Sequence, residues 1–585
     1  MREATTAILV PVDPGMSAYD LLARRVDAAP EHPAFLRATD SGWQSVTTAE
    51  FSRQVDTAAA ELLRRGVDAG DPVLVMGATS YAWAVADFAV WRCGAISVPV
   101  YPTASPAQVA AIVTSSAARI GIVDDDRRSR LASCGVEELR FADLEAPEPT
   151  AAELADLGRR SHGLGGAEVA TIVFTSGSTG EPRGVEITHT NLVSQAWNVG
   201  AAYSSLIHER ASTVIFLPLA HILARGLQVA AVSAGMTVAH VADPARAVAS
   251  LAEVRPSFLV VAPRVLDKIL ERVRANAASR HLGRVFAAAE RVAVRRGRVL
   301  EAADVGRREP WPSWDRLAHR AADAVLFARI RELLGGRLEC LLSGSAPLPV
   351  ETGLFFRGIG IPVIEGYGLT ETTAPATGNL PGAIRSGSVG VPVPGTTVRI
   401  ADDGEVQIAG PGVCRGYHGE PAGSGFTPDG FLRTGDLGRL DDDGHLWLTG
   451  RAKDVVVTSS GKNIVPARWE RLVERDGGVD HAVLVGDRRP YAAALLFVPD
   501  AATPRAGSWS QAVVEDPARL AALQRAVDAA NATVSRAEQV KRWLALRVPL
   551  TEEAGQLTPT GKVRRGTVLH QAGELIDRLY AVDPT

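Results

Sequence analysis

Between about Pro72 and Ile122, strand-like apolar runs alternate with helical patterns: "DPVLVMG", then "YAWAVADFAVWRCG", "ISVPVYP", "SPAQVAAIVTSSA" and "IGIVDD". Such alternation is the mark of βαβ units, which pair their strands in parallel and lay helices over the sheet. The habit returns in "STVIFLPLA", "GMTVAHVA", "PSFLVVAP" and "LECLLSG", so an α/β protein with two parallel-sheet subdomains is predicted. The 585 residues exceed what one core organises, since domains run to about 100 to 200 residues. From about Gly387 the texture changes to short strands with frequent Gly and Pro, as in "GVPVPGTTVRIADDGEVQIAGPG", which predicts a small β-barrel or sheet. After Gly450 an α/β pattern resumes, giving a large N-terminal part over 1–449 and a smaller α+β part over 450–585.

A helical insert interrupts the second series from about Asp267 to Leu334. Leu317, Ala321, Val325, Leu326, Ile330, Leu333 and Leu334 recur at helical spacing and predict one last helix, stopped by Gly335-Gly336. The stretch Arg272 to Arg308 carries ten arginines against Glu290, Glu301 and Asp304. A nucleic-acid or anionic-lipid surface is one reading, and a solvated helix face in an arginine-rich chain is the preferred one.

The net charge of −4 gives no general pull toward nucleic acid. Cys93, Cys134, Cys340 and Cys414 lie far apart without a CxxC pair, which predicts neither a disulfide framework nor a zinc site and fits a reducing cytoplasm. The first residues include Glu3 and Asp13 and lack a basic start before an apolar core, so no signal peptide is expected. The apolar stretch from Gly226 to Ala242 contains Gln228, Ser233 and His240 and falls short of the roughly 20 residues of a spanning helix. Peripheral contact with a membrane is left open.

Of 62 basic residues only five are lysines, Lys268, Lys453, Lys462, Lys541 and Lys562. Where any positive charge suffices, arginine can take the place, so the remaining lysines are candidates for positions where a compact ammonium differs from a broad guanidinium; chance placement is the other reading. Three of the five fall in two short glycine-containing segments near the C-terminus.

After the buried run "VATIVF" comes "TSGSTGEPRG", residues 175 to 184. It lacks the GxxxxGK[ST] order of a Walker loop, and "VEITHTNL" behind it reads as a strand before a helix. Turn N–H groups and the hydroxyls of Thr175, Ser176, Ser178 and Thr179, with Gly177, Gly180 and Arg183, suit an anion nest; a surface turn suits the same letters.

Downstream, "EGYGLTETT", "FLRTGDLG", "LTGRAKDVVVTSSGKNIVP" and "LTPTGKVRR" follow in order. With the opening loop, these motifs resemble the adenylate-forming enzymes over nearly the whole chain. "LPLAHILAR", "RPSFLVVAPRVLDKI", the helical insert and "LVGDRRPYAAALLFVPD" look most like bacterial long-chain fatty acyl-CoA synthetases.

The resemblance implies an ATP-dependent ligase that joins a fatty acid to AMP, releases pyrophosphate, and passes the acyl group to CoA. It implies that the 175–183 loop meets the polyphosphate, that Thr370 contacts the α-phosphate, and that Glu371 holds Mg²⁺. Glu365, Gly366, Tyr367 and Gly368 then face the nucleotide, with Tyr367 stacked on adenine and Gly344, Ser345 and Ala346 as the opposite wall; core packing is the other reading of Tyr367. Asp436 accepts the ribose hydroxyls, Arg451 approaches the same sugar, and Lys562 bridges carboxylate and α-phosphate during adenylation. Lys453 corresponds to the hinge of a mobile C-terminal domain. Gly461 and Lys462 lie on the CoA channel or in a plain turn, and His221 lies at the acyl pocket or simply starts a helix. Arg183 departs from the lysine usual there. Two other readings stay open: an enzyme that loads an acyl or aryl group onto a carrier protein, and an inactive nucleotide- or acyl-binding homologue.

Overall fold

The computed structural model describes residues 1–176, 182–243, 246–459, 462–475, 478–498, 509–536, 538–558 and 561–581. The chain divides into two compact units. The first comprises Met1–Arg399, Gln407–Thr434 and Leu440–Trp447, and the second Ile400–Val406, Gly435–Arg439 and Leu448–Thr585.

Two sheets organise the first unit. One has seven strands in the order Gly416–Tyr417, Pro182–Thr188, Val169–Ser176, Ile96–Val100, Pro72–Met76, Ile120–Val123 and Glu137–Arg140. The strands from "PVLVM", "ISVPV" and "IGIV" pair in parallel, as the βαβ alternation predicts. The other sheet has nine strands, with Phe258–Val261 parallel to Cys340–Ser343 and Ser212–Ile215 parallel to Thr237–His240. Val, Ile and Leu dominate these central strands because both faces are covered; Leu74, Val75, Leu259 and Leu341 are all buried.

The small barrel expected from about Gly387 takes the form of a five-stranded sheet in the order Glu3–Thr5, Thr397–Ile400, Glu405–Ala409, Leu432–Leu440 and Leu446–Arg451. Its first strand comes from the start of the chain and pairs antiparallel with Thr397–Ile400.

The insert folds as helices Pro263–Ser279, Gly283–Asp304 and Ser313–Ala322. The last helix expected there runs without interruption over Ser313–Leu333, with a π-helical turn at Asp323–Phe327 inside it. No Pro or Gly marks that turn, so letter-by-letter spacing passes over it. The wider turn lets Phe327, Ile330 and Leu334 enter the core beside Phe355 and Ile359.

In the second unit His481–Val485, Ala492–Phe497 and Val540–Leu546 form a three-stranded sheet, antiparallel then parallel. Helices Pro466–Glu474 and Pro517–Asn531 pack on it around Trp469, whose indole N–H donates to Asn531 Oδ1 at 2.9 Å.

Candidate active site

The "TSGSTGEPRG" motif begins on a hairpin. Val169–Ser176 and Pro182–Thr188 pair antiparallel, with Thr175 opposite Arg183 and Ser176 opposite Pro182. Thr175 Oγ1 donates to Arg183 O at 3.5 Å. Gly177, Ser178, Thr179 and Gly180 lie outside the described residues, as does the Ser176 side chain.

Arg183 sits near the turn end of that hairpin and is held on two sides. Its Nε and Nη2 donate to Glu420 Oε1 and Oε2 at 2.7 and 2.6 Å. The guanidinium stacks 3.7 Å from the centre of the Tyr417 ring. Tyr417 in turn donates its hydroxyl to Glu371 Oε1 at 3.0 Å, and Cys414 N–H donates to Glu371 O at 2.8 Å. The bond to Glu420 comes first among the causes that raise the Arg183 pKa further, and the same bond lowers that of Glu420. Burial, then the charge of Glu371, push the Tyr417 phenol well above its ordinary value, so the hydroxyl keeps its proton for that bond.

Thr370 and Glu371 occupy a short turn directly after the strand Val363–Leu369. Gly368 before it is required by close approach: a Cβ there would stand 1.9 Å from Ala374 O. Tyr367 is buried between Gly366 and Gly368. Gly344 follows the neighbouring strand, and a Cβ placed there would lie 3.6 Å from both Gly366 O and Leu223 Cδ2. Ser345, half exposed, has φ +68°, a left-handed backbone that a non-glycine residue adopts at a cost of order 1–3 kcal/mol. Ala346 is exposed. Glu365 is buried, and its Oε1 accepts the Gly387 N–H at 2.9 Å.

His221 caps the helix Ile222–Ala234, with Nδ1 accepting Leu223 N–H at 3.2 Å. Leu223 is the residue beside Gly344, so the cap, Gly344 and Gly366 belong to one neighbourhood. Behind it lies a pair that sequence reasoning missed. Arg225 and Asp87 are fully buried, with Nε–Oδ2 at 2.7 Å and Nη2–Oδ1 at 2.5 Å. Arg225 Nη1 also donates to Thr171 Oγ1 at 2.6 Å, and Ser97 Oγ donates to Asp87 Oδ1 at 2.7 Å. The pair ties the His221 helix to the strand that leads into the hairpin. A lone Asp in "YAWAVADFAVWR" and a lone Arg in "ILARGLQVAAVSA" were the available signal, since charges in apolar helices are rarely buried unpaired.

In the second unit, Arg451 Nε donates to Asp436 Oδ1 at 2.7 Å. Asp436 is buried, whereas Arg451 is partly exposed. Lys562 belongs to the same group, since both residues act on its charge. Lys562 is exposed when the whole residue is counted, yet crowding at its ammonium is the first cause that holds its pKa below the ordinary lysine value. Repulsion by Arg451 adds to this and attraction to Asp436 opposes it. The loop bearing it is pinned by Thr558 N–H to Lys562 O at 2.8 Å and Lys562 N–H to Thr558 Oγ1 at 3.0 Å. Lys453 is exposed in the turn Ala452–Asp454. Lys462 is exposed and its backbone closes a turn on Thr458; Gly461 lies outside the described residues.

Among the described residues no group of three or more His, Cys, Asp or Glu converges as a metal cage. Glu371 offers one half-buried carboxylate whose Oε2 makes no hydrogen bond among them. That donor set fits a magnesium ion drawing its other ligands from phosphates and water, and does not fit a resident structural ion.

An α/β body built on two sheets and a separate α/β C-terminal unit define an adenylate-forming enzyme fold. The model of the AMP-binding enzyme family matches residues 22–418 and that of the AMP-binding enzyme C-terminal domain matches 453–583, so the chain belongs to the AMP-binding enzyme family. It is 35% identical over 94% of its length to the long-chain-fatty-acid–CoA ligase FadD15 of Mycobacterium tuberculosis, covering 95% of that protein. It is 28% identical to the long-chain-fatty-acid–CoA ligase ACSBG2 of Gallus gallus, over 96% of this chain and 81% of that one. The o-succinylbenzoate CoA synthetase of Bacillus subtilis, in complex with its acyl-adenylate intermediate, shares the fold at TM-score 0.70 and 20% identity, over 94% of this chain and 98% of that one.

Proposed function

We propose that the chain is an ATP-dependent long-chain fatty acid–CoA ligase that forms AMP. The observation that carries this reading is the gathering of Asp436 and Arg451 with Lys562, which lies more than a hundred positions further along the chain, in one charge cluster. The similarity to ligases named for long-chain fatty acids supplies the acid and the acceptor.

In the first half-reaction a carboxylate oxygen attacks the α-phosphorus of ATP. The acyl–oxygen–phosphorus link forms, the bond to the bridging oxygen breaks, and pyrophosphate leaves with that electron pair. The step needs placement and charge neutralisation more than proton transfer. Lys562 bridges the carboxylate and the α-phosphate, a task for a compact ammonium. Thr370 contacts the same phosphate, and the hairpin from Thr175 to Arg183 binds the β- and γ-phosphates. Glu371 would hold Mg²⁺, which when bound offsets phosphate charge. Tyr417 fixes the Glu371 carboxylate by its hydroxyl, leaving Oε2 for that role. Asp436, steadied by Arg451, accepts the ribose hydroxyls, while Tyr367 stacks on adenine against Gly344, Ser345 and Ala346.

In the second half-reaction the CoA thiol gives its proton to solvent and its sulfur attacks the acyl carbonyl carbon. The carbon–oxygen bond to AMP breaks and AMP departs. Rotation of the C-terminal part at Lys453 serves to exchange Lys562 for a CoA-binding surface that includes Lys462.

The acyl chain has a candidate berth in the first unit. A cavity of about 620 Å³ is lined by Leu36, Trp43, Tyr81, Val85, Phe141 and Leu144, within the range of about 300–1,000 Å³ usual for ligand pockets. Thr79 also lines it, donating to Leu217 O at 2.8 Å and accepting Leu219 N–H at 3.3 Å, so one wall of the cavity is bonded to the segment just before His221. Each methylene buried there contributes about 0.8 kcal/mol, enough to favour long chains. The test is fatty-acid-dependent pyrophosphate release, with CoA present, across a chain-length series. Wild type should prefer long acids and Val85→Trp shorter ones; no release with any fatty acid would end the proposal.

A further inference from the structure

The apolar residues that recur at helical spacing in the insert do not share one face. Phe327, Ile330 and Leu334 are buried, but Trp314, Leu317 and Val325 are exposed at 63%, 70% and 65%. Trp314, Leu317 and Ala321, spaced three and four apart, lie along one side of the Ser313–Ala322 helix, and Val325 continues the row into the π-helical turn. The row is bordered by cations. Arg316 and Arg320 are exposed on the same helix.

The neighbouring Gly283–Asp304 helix adds a second row. Arg284, Arg291, Arg295 and Arg298, at spacings of seven, four and three, occupy one exposed or half-exposed stripe, with Val285 at 63% exposure beside it. The two helices are laced together at this border. Arg295 Nη1 stands 3.0 Å from Asp315 Oδ2, and its guanidinium lies 5.3 Å from the centre of the Trp314 ring. Among the described residues Arg284, Arg291, Arg316 and Arg320 form no ion pair, so their charge is uncompensated by the fold itself.

An exposed Trp, Leu and Val row flanked by unpaired arginines on a helix is the pattern of segments that lie in a membrane interface. The apolar row enters the acyl boundary, the indole takes the interfacial position, and the long guanidinium stems reach the head groups. A nucleic acid would match the arginines but would set the apolar row against phosphate. We infer that the outer face of the insert docks on an anionic lipid bilayer. The inference stands apart from the ligase reading.

The test is co-sedimentation of the full chain with vesicles of phosphatidylcholine alone or containing roughly one third phosphatidylglycerol. Wild type should partition about ten-fold more strongly onto the anionic vesicles, and added salt should weaken it. The pair Trp314→Ser with Leu317→Ser, and separately the trio Arg284→Gln, Arg291→Gln and Arg320→Gln, should each lower partitioning by about ten-fold. Circular dichroism and pyrophosphate release with a water-soluble short-chain acid should stay unchanged, since these side chains are exposed and absent from the site. Wild type that ignores anionic vesicles, or variants that bind as well as wild type, would overturn the inference. So would light scattering that shows a dimer dissolved by Leu317→Ser, or duplex DNA that outcompetes the vesicles. Partitioning is read without substrate, so a chain that binds vesicles yet activates no acid separates this inference from the ligase reading.

Discussion

Arg183 and Glu420, 237 positions apart, form a two-pronged ion pair at 2.7 and 2.6 Å, and the paired guanidinium covers the ring of Tyr417. Arg183 therefore has a structural task beside the phosphate binding proposed for it. It holds Tyr417 where the phenol reaches Glu371.

Lysine at 183 keeps the positive charge but loses the fork and the stack. Arg183→Lys should change the ATP–pyrophosphate exchange rate by less than about ten-fold, because charge near the phosphates is retained. Arg183→Ala and Glu420→Ala should each do more harm, and the double variant should be no worse than the worse single, since both remove one clamp. Steady-state exchange kinetics on the four proteins decide this. Additive losses would show that the two residues act separately.

The Asp87–Arg225 pair is fully buried. Removing one partner strands the other charge away from water, so Arg225→Ala should cost about 3–5 kcal/mol in urea unfolding. Replacing both partners, as Asp87→Leu with Arg225→Met, should recover much of that loss. A single variant as stable as wild type would mean that water reaches the pair.

His189 and His240 are buried, and burial lowers their pKa values from 6.5 to about 4 and about 3. His189 Nδ1 accepts the Ala18 N–H at 3.1 Å, which places the proton on Nε2 of a neutral ring. The folded state thus binds fewer protons than the unfolded one between these values and 6.5. Stability from both rings is complete above about pH 6.5 and is lost as pH falls toward 4. Urea midpoints at about pH 5 and about pH 7.5 should differ more in wild type than in His189→Gln. Equal slopes in the two proteins would contradict the assignment.

Local pattern and long-range pairing were not equally readable. Strands such as Pro72–Met76 and Cys340–Ser343 announce themselves, because burial on both faces demands a continuous β-branched or aliphatic run. Motif order named Glu371, Asp436 and Lys562 as candidates for the roles proposed above. The Glu420–Arg183–Tyr417–Glu371 chain was invisible, because residues 183 and 420 share no spacing and are joined only by tertiary contact. The apolar letters from Leu317 to Leu334 announced a helix but not its buried face. Helical periodicity finds an apolar side chain, but not which of two faces is covered, and here Leu317 and Val325 point to solvent while Ile330 and Phe327 do not.

The central claim concerns Lys562, whose ammonium shares the Asp436–Arg451 cluster. The most direct measurement follows the two half-reactions separately in Lys562→Ala. Adenylation is read as pyrophosphate formed from fatty acid and ATP, and thioester formation as acyl-CoA made from supplied acyl adenylate and CoA. The expected result is loss of the first by about a thousand-fold or more with the second near wild type. Equal loss of both, or adenylation that survives without the ammonium, would contradict the account.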